Sequence, residues 1–136
     1  MLPEKDNHID LSFPKKNRIS SEKVIQELIG NKKVIFEHPF KCFYHCTPIL
    51  DPHEGNAICV SVPKKIFKRA VDRNRVKRLI RESYRINNHT ILDENTLLKE
   101  QKLELMIIYI EKTILPYKLI ELKIKELLNK VILKIS

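Results

Sequence analysis

The sequence predicts an α+β fold, a single-domain αβββαβα sandwich in which helices pack on a small, four-stranded mixed sheet. Three observations lead there. Apolar residues recur at helical spacing in three segments, and four short runs rich in β-branched and aromatic residues lie among them. A length of 136 residues is enough to bury one real core without staples.

Residues 1–12 are polar and read as a flexible tail, leaving 13–136 as the domain. Ser20 and Ser21 precede EKVIQELI, which reads as a short helix capped by one of those hydroxyls. Val24, Ile25, Leu28 and Ile29 fall on one side of it, and Gly30 suits the left-handed position just past its end. Two strands follow, Lys33–Phe36 and Phe40–Thr47, separated at His38–Pro39. After a loop rich in proline, Ala57–Val62 forms the third strand and Pro63 stops it. A helix is expected from Asp72, as N-cap, to Asn87, then a polar loop over 88–102 and a central buried strand at Leu103–Ile110. Pro116 opens the last helix, where Tyr117, Ile120, Ile124, Leu127, Leu128, Val131 and Ile135 form one apolar stripe. Leu119, Leu122 and Leu133 lie off that stripe, as a wide apolar face or a partner surface.

Composition removes several function classes. With only two glycines, Gly30 and Gly55, neither a Walker-type loop nor a GxGxxG fingerprint is possible. No run approaches the roughly 18 apolar residues of a membrane span, and MLPEKDNHIDLS lacks the apolar stretch of a signal peptide. Three cysteines show no disulfide framework, so the expected setting is the reducing cytoplasm, with no membrane partner.

Charge is the most localised feature. Lys64–Arg85 holds ten of the 26 Lys and Arg residues against Asp72 and Glu82, a net +8 of the chain's +9. At about 100° per residue, Val76, Leu79, Ile80, Ser83 and Ile86 make a stripe that can bury itself. Arg73, Lys77, Arg81 and Arg85 recur every fourth residue on the other side, joined by Asn74 and Arg78. A merely solvated face mixes both signs, whereas this one asks for a polyanion. The cationic helix lies among strands, with no zinc module or zipper beside it, so structured RNA fits better than a DNA groove and no DNA partner is expected.

Two chemical rivals are weaker. Cys42 and Cys46, with His45 nearby, could suggest a zinc site, but on a strand the two sulfurs sit about 13 Å apart. Asp51 with Glu54, and Asp93 with Glu94, are loop acids without a ligand pattern, so a protein-only nuclease is not expected and no catalytic or metal residue is assigned. A structural RNA-binding protein of the ribosomal type is compatible with this charge and topology.

The run SVPKKIFKRAVDRNRVKRLIRESYR resembles the signature of the bacterial ribonuclease P protein subunit, in which a Lys-Lys pair precedes an Arg-Asn-Arg helix. The resemblance continues through FPKKNRI at 13–19, FKCFY at 40–44 and the last strand and helix, over roughly 13–134. It implies a left-handed crossover from the third strand through the basic helix to the fourth. It also implies a protein that binds a catalytic RNA and the 5′ leader of precursor tRNA. The RNA would perform the cleavage with Mg2+ ions. By position, the catalytic-RNA contacts would be Lys64, Lys65, Arg73, Asn74, Arg75, Lys77, Arg78 and Arg81. The leader would meet Lys16, Arg18, Lys41 and Phe43 in a cleft between the first helix and the sheet. Strand alternation puts Lys41, Phe43 and His45 on one face of their strand, and Phe40, Cys42 and Tyr44 on the other. Ile25 and Ile29 stand where many family members carry cleft aromatics. Phe67 replaces a small residue before the helix and is expected to plug the core.

Overall fold

The computed structural model describes residues 18–51, 54–95 and 100–135, so the tail at 1–12 lies outside the described residues. The elements are α1 (Glu22–Gly30), β1 (Val34–Glu37), β2 (Phe40–Pro48), β3 (Ala57–Ser61), α2 (Ala70–Asn88), β4 (Gln101–Tyr109) and α3 (Tyr117–Ile135). The four strands form one mixed sheet in the order β1-β2-β4-β3. β1 and β2 are an antiparallel hairpin turning at a cis His38–Pro39 bond. β2 pairs antiparallel with β4 from Phe40↔Tyr109 to Pro48↔Gln101. β3 runs parallel to β4, from Ala57↔Glu104 to Ser61↔Ile108.

β4 sets the two faces of the sheet. Leu103, Leu105, Ile107 and Tyr109 alternate into complete burial. There they join Phe40 and Cys42 of β2, Ile58 and Val60 of β3, and apolar residues of α2 and α3. Each such aliphatic side chain contributes about 1.5–3 kcal/mol by leaving water. Lys102, Glu104, Met106 and Ile108 point the other way and are half-covered. α1 lies on that second face and buries Leu28 there.

The expected stripe of α3 is buried at Ile120, Ile124, Leu127, Leu128 and Val131, while Leu119, Leu122 and Leu133 are exposed. Phe67 is buried, its ring centroid 6.1 Å from that of Tyr109, as its position suggested. The Tyr109 ring also meets Phe40 edge-on at 6.1 Å. Its hydroxyl donates to the Thr113 carbonyl at 2.7 Å and accepts from the Leu115 N–H at 3.1 Å, pinning the β4–α3 connection.

Three local expectations are corrected. Gly30 is still helical, and the left-handed residue is Lys32 (φ 58°), because Asn31 keeps a helical backbone and its N–H donates to the Glu27 carbonyl. Ser21 does cap α1, accepting from the Val24 N–H at 3.4 Å. Asp72 is not the N-cap of α2. The helix begins at Ala70, and the Arg69 carbonyl accepts from the N–H groups of both Asp72 and Arg73 at 3.2 Å. Asp72 sits in the first turn, where its charge still complements the helix dipole.

The third correction concerns 88–102, expected as a loop. α2 continues through Asn88 into a π-helical turn, His89–Asp93, and β4 begins at Gln101. The polar side chains there serve the helix: Asn87 and Asn88 return amide N–H groups to the carbonyls of Ser83 and Tyr84. Leu92 anchors the turn by complete burial.

Tyr109→Phe is expected to lower stability by about 1–2 kcal/mol, since two backbone groups lose their shared partner. Urea unfolding checks it as a lower midpoint at an unchanged slope. An unchanged midpoint would mean the hydroxyl contributes nothing.

Candidate nucleic-acid interface

Pro63 ends β3 and starts a tight turn in which its carbonyl accepts from the N–H groups of Ile66 (3.1 Å) and Phe67 (3.2 Å). The turn sends Phe67 into the core and leaves Lys64, Lys65 and Lys68 exposed. Arg73 then fastens it: one terminal nitrogen donates to the carbonyls of Phe67 and Lys68, both at 2.8 Å. The lysine pair is thereby held against the first turn of α2.

Along α2 the buried residues are Val76, Ile80, Ser83, Tyr84 and Asn87. The packed face is therefore turned from the expected one, with Tyr84 and Asn87 inside and Leu79 and Ile86 only half-buried. Tyr84 reaches the core, and Asn87 bridges to Glu121 of α3 at 2.9 Å. This rotation draws Arg73 and Lys77 to the border of the packed face. Arg85 leaves the cationic surface altogether, paired with Glu82 and little exposed. Asn74, Arg75, Arg78 and Arg81 remain exposed. Among the described residues, Lys64, Lys65, Lys68, Arg75, Arg78 and Arg81 form no ion pair, whereas Arg69, Arg85 and, on α3, Lys123 and Lys130 do.

The second predicted surface is only partly assembled. Lys41 and Phe43 lie together on the α1 side of β2, with the Lys41 Nζ 5.4 Å from the Phe43 ring centroid. His45 follows on the same face, its Nδ1 accepting from the Asn31 side chain at 2.8 Å. Arg18 is elsewhere. It bridges Ile58 in parallel, and Ile19 donates to the Ile58 carbonyl at 2.8 Å, so this segment covers the free edge of β3. From there Arg18 lines a cavity of about 300 Å³ with Ser21, Val24, Ala57 and Glu104. Lys102 crosses that end of the sheet between Glu54 (3.2 Å) and Glu104 (3.8 Å). Lys16 lies outside the described residues.

Sequence reading missed Phe36. It stands opposite Lys41 in the hairpin, is 58% exposed, and its ring centroid lies 5.8 Å from the Lys41 Nζ. Two strands joined at His38–Pro39 set Phe36 across from Lys41, but strand pairing alone does not say that the ring stays exposed.

The residues weighed as rival sites have other occupations. Cys42 is buried in the core, and Cys46 donates to Gln101 Oε1 at 2.9 Å. Glu54 accepts from the N–H groups of Leu50 and Asp51, while Asp93 accepts from Asn56 at 3.0 Å. Among the described residues, no group of three or more His, Cys, Asp or Glu side chains could hold a metal ion. Nor is any described helix long and apolar enough to cross a membrane.

A basic crossover helix beside an aromatic-cationic sheet face is thus the site's frame, and comparison with known proteins gives it a family. The family model for ribonuclease P matches residues 13–131. The chain belongs to the ribonuclease P protein family. It is similar to the ribonuclease P protein component of Porphyromonas gingivalis, 38% identical over 81 residues, which are 58% of this chain and 57% of that relative. A second relative, from Idiomarina loihiensis, is 38% identical over 87 residues, 62% of this chain and 65% of its own length. The chain thus spans just under two thirds, or less, of these relatives. The ribonuclease P protein of Thermotoga maritima shares the fold, with a TM-score of 0.65 over 83% of this chain and 96% of that one, at 17% identity. A Staphylococcus aureus ribonuclease P protein gives a TM-score of 0.61 over 85% and 94%, at 19% identity.

In this ribonuclease P family member the thiols report on the two faces. Burial pushes the Cys42 thiol far up and raises that of Cys46. Burial also raises Cys59 to about 11, with the nearby Arg81 charge opposing the rise. A raised pKa means less reactive thiolate at a given pH. At pH 8, iodoacetamide should modify all three more slowly in the native protein than in urea, with Cys42 unmodified until the chain unfolds. Peptide mapping would show this, and native labelling of Cys42 at the unfolded rate would contradict its burial.

Proposed function

We propose that this chain is the protein subunit of ribonuclease P, binding the catalytic RNA and the 5′ leader of precursor tRNA and assisting removal of that leader. The observation that carries the reading is the row of exposed, unpaired cations on α2 and its preceding turn, in a chain of this family. Lys64, Lys65, Arg75, Arg78 and Arg81 neutralise phosphates of the catalytic RNA, and Asn74 adds a hydrogen-bonding amide. Arg73 and Lys77 serve at the border of this surface, Arg73 chiefly by holding the lysine turn in place. Arginine's planar fork suits bidentate phosphate contact.

The leader, single-stranded, lies on the sheet face at Lys41 and Phe43, where a ring can stack on a base and an ammonium can meet the adjoining phosphate. Arg18, with Lys16 before it in the chain, meets the leader or its flank at the β3 edge. Mg2+ is assigned to the RNA subunit, where it would activate water and stabilise the leaving oxygen. The protein's own part is to bind and position, in the cytoplasm, without DNA or membrane partners.

Reconstitution tests the reading: the protein is mixed with catalytic RNA and precursor tRNA at low magnesium. Faster cleavage or tighter substrate binding is expected. No gain in either would leave a structural RNA-binding protein in its place.

Arg75→Ala and Arg78→Ala should each reduce the salt dependence of catalytic-RNA binding, by about 0.7–0.9 of a log–log unit for each phosphate no longer neutralised. Filter binding across a salt series measures it, and an unchanged slope would remove that residue from the phosphate set. Arg73→Ala should behave differently, lowering stability by about 1–2 kcal/mol as the Phe67 and Lys68 carbonyls lose their donor.

Phe43→Ala should weaken binding of precursor tRNA and spare mature tRNA. Equal losses for both would place Phe43 outside the leader path.

A further inference from the structure

We infer that the leader-binding face extends onto the edge strand β1, where Phe36 and Lys41 form a second nucleotide-stacking position beside that of Phe43. This inference rests on the proposed role of the sheet face and deepens it, naming a site for one further unpaired nucleotide.

Register places the three residues together. Phe36 is the cross-strand partner of Lys41, and Phe43 is the partner of Val34, so Phe36 and Phe43 are diagonal neighbours on one face. Such neighbours lie about 7–8 Å apart. The Lys41 Nζ stands between the rings, 5.8 Å from one centroid and 5.4 Å from the other. One cation flanked by two aromatic faces is the combination that binds a single strand without reading its sequence: rings take the bases and the ammonium takes the phosphate between them.

Exposure and charge favour the β1 end of this face. Phe36 is 58% exposed on a hairpin where an apolar ring gains nothing from the core. Glu37, the acid of the same strand, points to the opposite side, held by Lys130 at 3.0 Å and Lys123 at 3.6 Å. Its carboxylate is thereby kept off the ring face. On the free edge of β1, the Phe36 carbonyl already accepts from Lys130 at 3.1 Å. That makes an added protein strand a poor alternative occupant.

Other rings do not compete for the role. Phe40, Phe67, Tyr84 and Tyr109 are buried, and Tyr44 packs against the core. α1 offers Ile25 and Ile29, which have no π face. Among the described residues, stacking on this side of the sheet falls to Phe43 and Phe36.

The experiment uses the reconstituted holoenzyme and precursor tRNAs with leaders lengthened one nucleotide at a time. Wild-type protein should show affinity rising with leader length until both rings are reached. Phe36→Ala should remove the last gain, roughly tenfold for long leaders, and leave the shortest leaders and mature tRNA unchanged. Phe36→Tyr should restore it, and thermal melting should show Phe36→Ala folded, as suits an exposed side chain. Two results would overturn the inference alone: Phe36→Ala without effect while Phe43→Ala weakens precursor binding, or a Phe36→Ala loss independent of leader length. If neither variant alters precursor binding, the leader reading of the whole face falls with it.

Discussion

β4 hydrogen-bonds antiparallel to β2 on one side and parallel to β3 on the other, and the parallel pair cannot be closed by a hairpin. The chain leaving β3 has to travel back along the sheet before β4 can start, and α2 is that return path. Its apolar side must cover the buried row Leu103, Leu105, Ile107 and Tyr109, so its outer side must face away from the sheet. The cationic surface is thus fixed in position by the need to bury a strand. The same crossover explains why Pro63 and Phe67 matter: one ends β3 and the other ties the turn to Tyr109, leaving the intervening lysines outside.

Like charges along one helix repel, and the structure manages that repulsion unevenly. At the C-terminal half of α2, Arg85 is matched by Glu82, and Asn87 reaches Glu121 of α3. At its start, Arg69 pairs with Asp72 at 3.6 Å and Arg73 is absorbed by loop carbonyls. The residues between, Arg75, Arg78 and Arg81, receive no acid among the described residues. Relief applied at both ends and withheld in the middle gives a cationic patch of limited extent on a well-anchored helix. Under the proposed function, an RNA meeting it displaces counterions from a surface already in place on the helix.

Much of this was legible in residue order. Strand alternation in FKCFY and the apolar run LELMIIYI identified the sheet, and the +8 window identified the basic helix. What escaped did so for physical reasons. Tyr84 and Asn87 were not counted inside because a hydroxyl and an amide look solvated; burial became possible once α3 supplied packing and the Glu121 carboxylate. Residues 88–93 read as loop because Asn, His and Thr are polar, yet Asn88 and Thr90 return their hydrogen bonds to the helix. Arg18 could not be placed from sequence, since its position depends on a backbone bond between Ile19 and Ile58, some forty residues away. Phe36 escaped because strand identity alone does not reveal which rings stay in solvent.

The two surfaces of interest are built on opposite sides of one sheet. Arg81 lies near enough to Cys59 for its charge to oppose the rise in the thiol's pKa, and Cys59 shares a cross-sheet row with Met106 and Phe43. The helix proposed to grip the catalytic RNA packs on the same continuous sheet whose strands are proposed to carry the leader. Under the proposed function this shared sheet is the protein's contribution to cleavage. A leader held on β2 is fixed in distance and direction from the RNA held on α2, and reactants delivered in a set geometry need less ordering at the moment of reaction. On that proposal, the protein assists the chemistry by binding and positioning on two sides of one sheet built around β4.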